Sequence, residues 1–189
     1  VDATKGLRYR HLIFVVLFVE MSRVMKDNWL YVQDPSVSFN RFMDMASWNP
    51  SLSPAGRTSL IFEITSDIGD SFWSCPDVEL IKRVREEFVR EFGFVDNSKI
   101  IEGKVYRKTH AYPVYGLDYK KRLDVIKGHL GEIENLQLIG RNGLFRYNNM
   151  DHSIASGIGA AKNYLGEKVD IESINLDMEY HEEKKKSSK

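Results

Sequence analysis

The run Leu12-Ile-Phe-Val-Val-Leu-Phe-Val19 constrains the fold more than any other stretch of the chain. Its eight apolar residues fall far short of the roughly 20 that cross a bilayer as a helix. Six of the eight are β-branched or aromatic, which favours a strand. Successive side chains of a strand point to opposite faces, so an unbroken apolar run suits a central position with cover on both sides. Arg8, Arg10 and His11 precede the run as in a signal peptide, but Met21-Ser22-Arg23 follows where a small-residue cleavage site would stand.

The partner strands are sought nearby. Tyr9 to Glu20 reads as one long strand, Trp29 to Gln33 as a second after a polar link, and Thr58 to Thr65 as a third. Between them, Asp34 to Arg57 carries three of the five prolines and reads as irregular. Its Phe39, Phe42, Met43, Met45 and Trp48 imply that part of it packs down. Cys75 to Phe92 is the clearest helix: Leu80, Val84, Phe88 and Phe92 recur every four residues, acidic Asp77 and Glu79 open it, and Gly93 stands at the expected left-handed cap. Ile100 to Tyr112 reads as a strand interrupted by Gly103, Asp118 to Leu130 as a helix, Leu136 to Ile139 as a short strand, and Asp151 to Leu165 as a helix rich in small residues. Glu182 to Lys189 is a charged tail expected to be disordered. The fold class is α+β: a mostly antiparallel sheet with about three helices, lacking the alternation of a doubly wound parallel fold.

Composition narrows the function. Lysine plus arginine equals aspartate plus glutamate at 27 each, so the basic excess of a nucleic-acid binder is missing. Cys75 is the only cysteine, which excludes an intramolecular disulfide or a thiolate metal cluster. A reducing, cytoplasmic compartment is the expectation. The five histidines are scattered without metal-ligand spacing, so no metal site is expected. Neither a Walker loop nor a Gly-x-Gly-x-x-Gly turn after a strand occurs.

The densest chemistry lies between Gly140 and Gly166. The turn before the last helix carries Arg141, Asn142, Arg146, Tyr147, Asn148 and Asn149, with Asp151 or Asn149 as the N-cap. A helix start offers free N–H groups and partial positive charge to phosphate or to an electron-rich cofactor edge. A strand-turn-helix with a merely solvated polar turn accounts for the same spacing.

The string GRNGLFRYNNMDHSIASGIGAA resembles the C-terminal flavin motif of FAD-dependent oxidoreductases related to protoporphyrinogen oxidase and monoamine oxidase. It is also similar to the Arg-Tyr-x-x-Met segment near the end of UDP-galactopyranose mutases. The upstream segments HLIFVVLFVE, NWLYVQDP, AYPVY and NLQLIGR extend the resemblance over roughly Leu7 to Gly166. It implies a substrate-binding, C-terminal flavin-contacting portion over residues 1–181, in the substrate-binding domain of an FAD-linked reductase-like fold, with FAD as cofactor. Gly140 and Arg141 would lie by the ribityl-diphosphate stretch, and Asn149, Met150 and Asp151 would bring the helix start against the flavin ring. Arg146 and Tyr147 would face a small-molecule substrate. Apart from the resemblance, His110, Tyr112 and Tyr115 in Thr-His-Ala-Tyr-Pro-Val-Tyr are candidates to edge a substrate pocket, and simple packing of aromatic residues around Pro113 accounts for the same segment. No catalytic residue is assigned. Arg141 replaces the acidic residue of many amine-oxidase relatives, which draws the match toward the mutase and protoporphyrinogen-oxidase branch.

The glycine-rich dinucleotide half of such enzymes is missing, and Val1-Asp2-Ala3-Thr4 begins without methionine. A trimmed chain with weak or no FAD binding and no turnover by itself is therefore expected. Three functions stay open: hydride transfer from an organic substrate to flavin, mutase-like chemistry on a sugar nucleotide, and a non-catalytic domain that binds a ligand or partner.

Overall fold

The apolar run lies within β1 (Arg8–Val19), an interior strand of a five-stranded sheet. The computed structural model describes residues 2–175; the tail over 182–189 lies outside them. The sheet is completed by β2 (Trp29–Tyr31), β3 (Arg41–Asp44), β4 (Thr58–Ser66) and β5 (Ile100–Val114), in the order β2-β3-β4-β1-β5. The pairs β2–β3, β3–β4 and β4–β1 are antiparallel. The β1–β5 pair is antiparallel too: Glu20 N–H donates to the Lys99 carbonyl at one end, and His110 meets His11 at the other. Two compact units result, Tyr9–Tyr112 and the flanking pieces up to Arg8 and from Pro113 onward.

One sheet face is the core of the larger unit. Ile13, Val15, Leu17 and Val19 of β1 are fully buried, as are Leu60 and Phe62 of β4. The long α2 (Asp77–Phe92) presents Leu80, Val84 and Phe88, all buried, from its predicted stripe. Phe88 packs ring against ring with Phe42, Phe62 and Phe92 at 5.2, 5.0 and 5.6 Å. The helix begins two residues later than the sequence suggests, because Pro76 is extended and supplies its carbonyl to the first turn. It stops at Gly93, whose φ of 60° is the expected left-handed cap. Gly103 does not interrupt β5; a Cβ there would lie 2.5 Å from Ile81 Cγ2, so the glycine admits α2 against the strand.

The segment 34–57 is more regular than its prolines suggest, containing β3, the short α1 (Met45–Trp48) and a 3-10 turn at Pro50–Leu52. Asp44 organises it. This carboxylate is fully buried and accepts the N–H groups of Val24 (2.7 Å), Met25 (3.1 Å) and Ala46 (3.1 Å) and the Thr58 hydroxyl (2.7 Å). A buried charge is tolerated when its lone pairs are so occupied.

The second unit holds α3 (Tyr119–Leu130), the single turn α4 (Gly140–Gly143) and α5 (Met150–Tyr164). The expected strand over 136–139 is absent: this segment has no regular structure and pairs with no strand. Side chains tie it to α5 instead, Gln137 Nε2 donating to the Ala160 carbonyl at 3.1 Å and Gln137 Oε1 accepting from Asn163 Nδ2 at 3.1 Å. Gly159 faces Val169 and Ile171, with 3.2 Å between its notional Cβ and Val169 Cγ1. With its five-stranded antiparallel sheet and three main helices, the chain is α+β.

Candidate functional site

The sheet has a second face, and it is only half covered. Antiparallel register places Tyr31 opposite Arg41, Arg41 opposite Glu63, and Glu63 opposite Phe14, all on the side away from the phenylalanine core. Val16, Ile61, Met43 and Trp29 share this face by the same register. Trp29 is 40% exposed and stacks on Trp48 at 4.9 Å.

Within this apolar surface sits one charged cluster. Glu63 is 3% exposed and pairs with Arg41 Nη2. The Tyr112 hydroxyl donates to Glu63 Oε1 at 3.1 Å and accepts from Arg41 Nη2 at 3.2 Å. Arg41 Nη1 reaches the Tyr31 hydroxyl at 3.4 Å, and the guanidinium stands 5.6 Å from the Tyr31 ring centre. Burial works against the Arg41 charge, but the Glu63 hydrogen bond and charge outweigh it and hold its pKa above the ordinary arginine value. Arg41 Nε is buried and has no hydrogen-bond partner among the described residues. The cluster is thus a fixed cation, neutralised on one side, with aromatic hydroxyls around it.

Of the residues the sequence nominates, Tyr112 belongs to this cluster. His110 lies two residues away with φ of 55°, and its backbone N–H donates to His11 Nδ1 at 3.0 Å. Sequence reasoning missed Arg41, Glu63 and Tyr31. One signal was available: Glu63 stands inside the apolar strand Leu60-Ile-Phe-Glu-Ile64, and a carboxylate there needs a cationic partner.

The other nominated residues lie in the second unit, around the start of α5. Gly140 has φ of +70° and donates its N–H to Ser156 Oγ at 2.9 Å, anchoring the turn to the buried face of α5. Arg141 Nε donates to the Asn148 carbonyl at 2.9 Å, and its guanidinium lies 4.9 Å from the Tyr147 ring centre. The Tyr115 hydroxyl accepts the Tyr147 N–H at 2.6 Å; burial raises its pKa, and the Tyr147 bond acts in the opposite direction. Arg141, Tyr147 and Tyr115 therefore form one local group. Arg146 points to the 3-10 turn at Ile171–Ser173, bonding the Glu172 and Ile174 carbonyls at 2.8 and 2.6 Å and the Glu172 carboxylate at 3.2 Å.

The N-cap of α5 is Asn149, whose backbone N–H donates to His152 Nδ1 at 3.2 Å, so His152 is spent on the helix start. Met150 and Asp151 open the first turn and are exposed. Beside them Asn148 is 1% exposed; its Oδ1 accepts from Asn175 at 2.9 Å, while its Nδ2 has no partner among the described residues. Beyond the first turn, α5 exposes Ile154 and Ile158 at helical spacing, followed by Leu165, each more than half accessible. Gly157 on this helix has open space where a side chain would stand.

Among the described residues no group of three His, Cys, Asp or Glu side chains is arranged to hold a metal ion, and no helix is long and apolar enough to cross a membrane. No family model matches the sequence, and no curated protein matches it. Solved structures do match in fold. The crystal structure of reduced UDP-galactopyranose mutase superposes with a TM-score of 0.77 at 18% identity, over 93% of this chain and 38% of that one. A putative protoporphyrinogen oxidase from Exiguobacterium sp. 255-15 gives 0.55 at 15% identity, over 74% of this chain and 31% of that one. This chain spans well under half the length of either protein, and it is similar in fold to a portion of each.

Proposed function

We propose that this chain is the substrate-binding and C-terminal flavin-contacting portion of an FAD-dependent enzyme, and that its substrate is a sugar nucleotide. The observation that carries the reading is the Arg41–Glu63–Tyr112–Tyr31 cluster on a half-covered, aromatic sheet face. A fixed guanidinium is the usual partner of a diphosphate, and flanking aromatic rings suit a nucleobase or sugar face. Hydride transfer from an organic substrate is the second reading. The wider fold match to the mutase, 93% of this chain against 74%, favours the sugar nucleotide.

The residues at the start of α5 fit a flavin. The N–H groups of Met150 and Asp151 are the free donors of a helix N-terminus. Gly140 and Arg141 shape the approach to it, and the orphaned Asn148 Nδ2 supplies a further donor. FAD would supply the electron-rich centre of either reaction; this chain's part is to orient it and to favour negative charge near the helix end. The exposed Ile154, Ile158 and Leu165 suit further protein packing on α5.

Titration of the ¹⁵N-labelled chain with UDP, followed by NMR, tests the substrate class. Shifts concentrated at Tyr31, Arg41, Glu63 and Tyr112, and lost in Arg41→Ala, are expected. No response at these residues would sink the sugar-nucleotide reading. A parallel titration with FAD is read at Gly140 and Asn148 to Asp151. Silence there at millimolar FAD would count against the flavin contact.

A further inference from the structure

A histidine pair joins the two strand ends at which the chain leaves the sheet unit. His11 and His110 lie 99 residues apart, and the His110 backbone N–H donates to His11 Nδ1 at 3.0 Å. This bond requires His11 to be neutral with its proton on Nε2, since a protonated Nδ1 is a donor and confronts another donor. His110 is held at φ of 55°, a conformation that non-glycine residues rarely adopt inside a strand. The turned backbone sends its N–H to the imidazole. The two rings stand 5.5 Å apart, edge to face, so that charging both would add repulsion.

We infer that His11 is a pH-operated latch: neutral, it fastens β5 at His110; protonated, it releases the strand end that carries Tyr112. Tyr112 is two residues from His110 and is hydrogen-bonded to Glu63 and Arg41. Release of the His110 backbone therefore reaches the charged cluster of the open face. The latch itself does not depend on what that cluster binds.

Among the described residues, no other group around the pair holds this N–H. From β1 come Tyr9, whose ring packs on His110 at 5.0 Å, and Arg10, paired with Asp67 at 2.5 Å. From β5 comes Arg107, paired with Asp77 at 2.6 Å and bonded to the Trp73 carbonyl. The turn bearing Trp73, whose ring lies 5.7 Å from His11, adds Asp70, which caps its own turn, and Cys75, which meets Glu79 at 3.7 Å. These carboxylates are already engaged, Asp67 by Arg10, Asp77 by Arg107 and Asp70 by its own turn.

Amide hydrogen exchange at His110, corrected for intrinsic rates, reads the latch. In the parent chain protection falls on the order of tenfold from about pH 8 to about pH 5, the loss of one net hydrogen bond. His11→Asn offers a carbonyl oxygen that accepts the same N–H without titrating, so protection persists across the range. His110→Gln keeps the backbone N–H and so keeps the fall. The Tyr112 ring signals follow the same midpoint in the parent. Equal protection at both pH values, a fall that survives in His11→Asn, or one that vanishes in His110→Gln overturns the assignment. Movement of Tyr112 with a different midpoint overturns its coupling to the latch. The parent titration decides even where a variant fails to fold.

Discussion

Tyr112 donates its hydroxyl hydrogen to Glu63 Oε1 at 3.1 Å, reaching past β1 from the edge strand β5 to β4. The bond spans 49 residues of sequence. With Arg41 on the other side of the carboxylate, it makes a buried acid into a shared acceptor for two strands. The cluster therefore ties the strands of the open face together.

Removing the acid leaves Arg41 without its counter-charge. Glu63→Ala is expected to destabilise the fold by about 3–5 kcal/mol, the usual result of stranding one member of a buried pair. Glu63→Gln keeps an acceptor for Tyr112 and costs less. Tyr112→Phe removes the hydroxyl's bonds to Glu63 and Arg41 and costs about 1–3 kcal/mol. Urea denaturation of the three variants checks the order; a neutral Glu63→Ala would refute it.

Asp70 makes stability fall in acid. Its carboxylate accepts Ser66 Oγ and the N–H groups of Asp67 and Trp73, each at 2.7 Å. Burial pushes its pKa up, but these bonds together hold it below the ordinary value of 3.8. A folded-state pKa depressed in this way contributes stability that is complete above the unfolded value and is lost as pH falls through the folded one. Melting curves of Asp70→Asn below about pH 4 should therefore fall less steeply with acid than those of the parent. Identical slopes would show that the carboxylate contributes nothing.

Gly140 and Gly157 should respond to alanine with opposite signs. Gly140 has φ of +70° with open space around it, so alanine clashes only with its own backbone and costs about 1–2 kcal/mol. Gly157 lies inside α5 with equally open space, and alanine there gains about 0.5–1 kcal/mol of helix stability. If a flavin lies along this helix, Gly157→Ala stabilises the chain yet weakens FAD binding. Thermal melts and an FAD titration separate the two effects.

Phe88 is the hub of the aromatic core. Phe88→Ala should cost about 3–5 kcal/mol, and Phe92→Ala less, because Phe92 is only partly buried. Equal losses by chemical denaturation would place the hub elsewhere.

Much of the fold is legible in single segments. The unbroken Leu12–Val19 run implies an interior strand, the four-residue spacing from Leu80 to Phe92 implies a one-sided helix, and Gly93 its end; each signal is local, and each element is present. The 136–139 segment misled because a short apolar run carries no information about whether a neighbouring strand exists. Gln137 and Asn163 settle its conformation through side chains 26 residues apart. The order within 34–57 was hidden for a similar reason, since Asp44 acquires its four donors from Val24, Met25, Ala46 and Thr58.

The candidate site divides along the same line. The Gly140–Gly166 segment shows its polar turn and helix start in the sequence, because Gly140, Arg141, Asn149 and Met150 are near neighbours and the chemistry of a helix end is local. The Arg41–Glu63–Tyr112 cluster does not, because strands from three parts of the chain converge on it. Sequence alone determined which residues alternate, which helix face is apolar and where backbone needs glycine, all properties of a few adjacent residues. Register, and with it the partner of each buried charge, was decided only by tertiary structure. Pairing one strand with another is a long-range choice, and it makes an arginine from a proline-rich stretch of sequence the counter-ion of a glutamate 22 residues away.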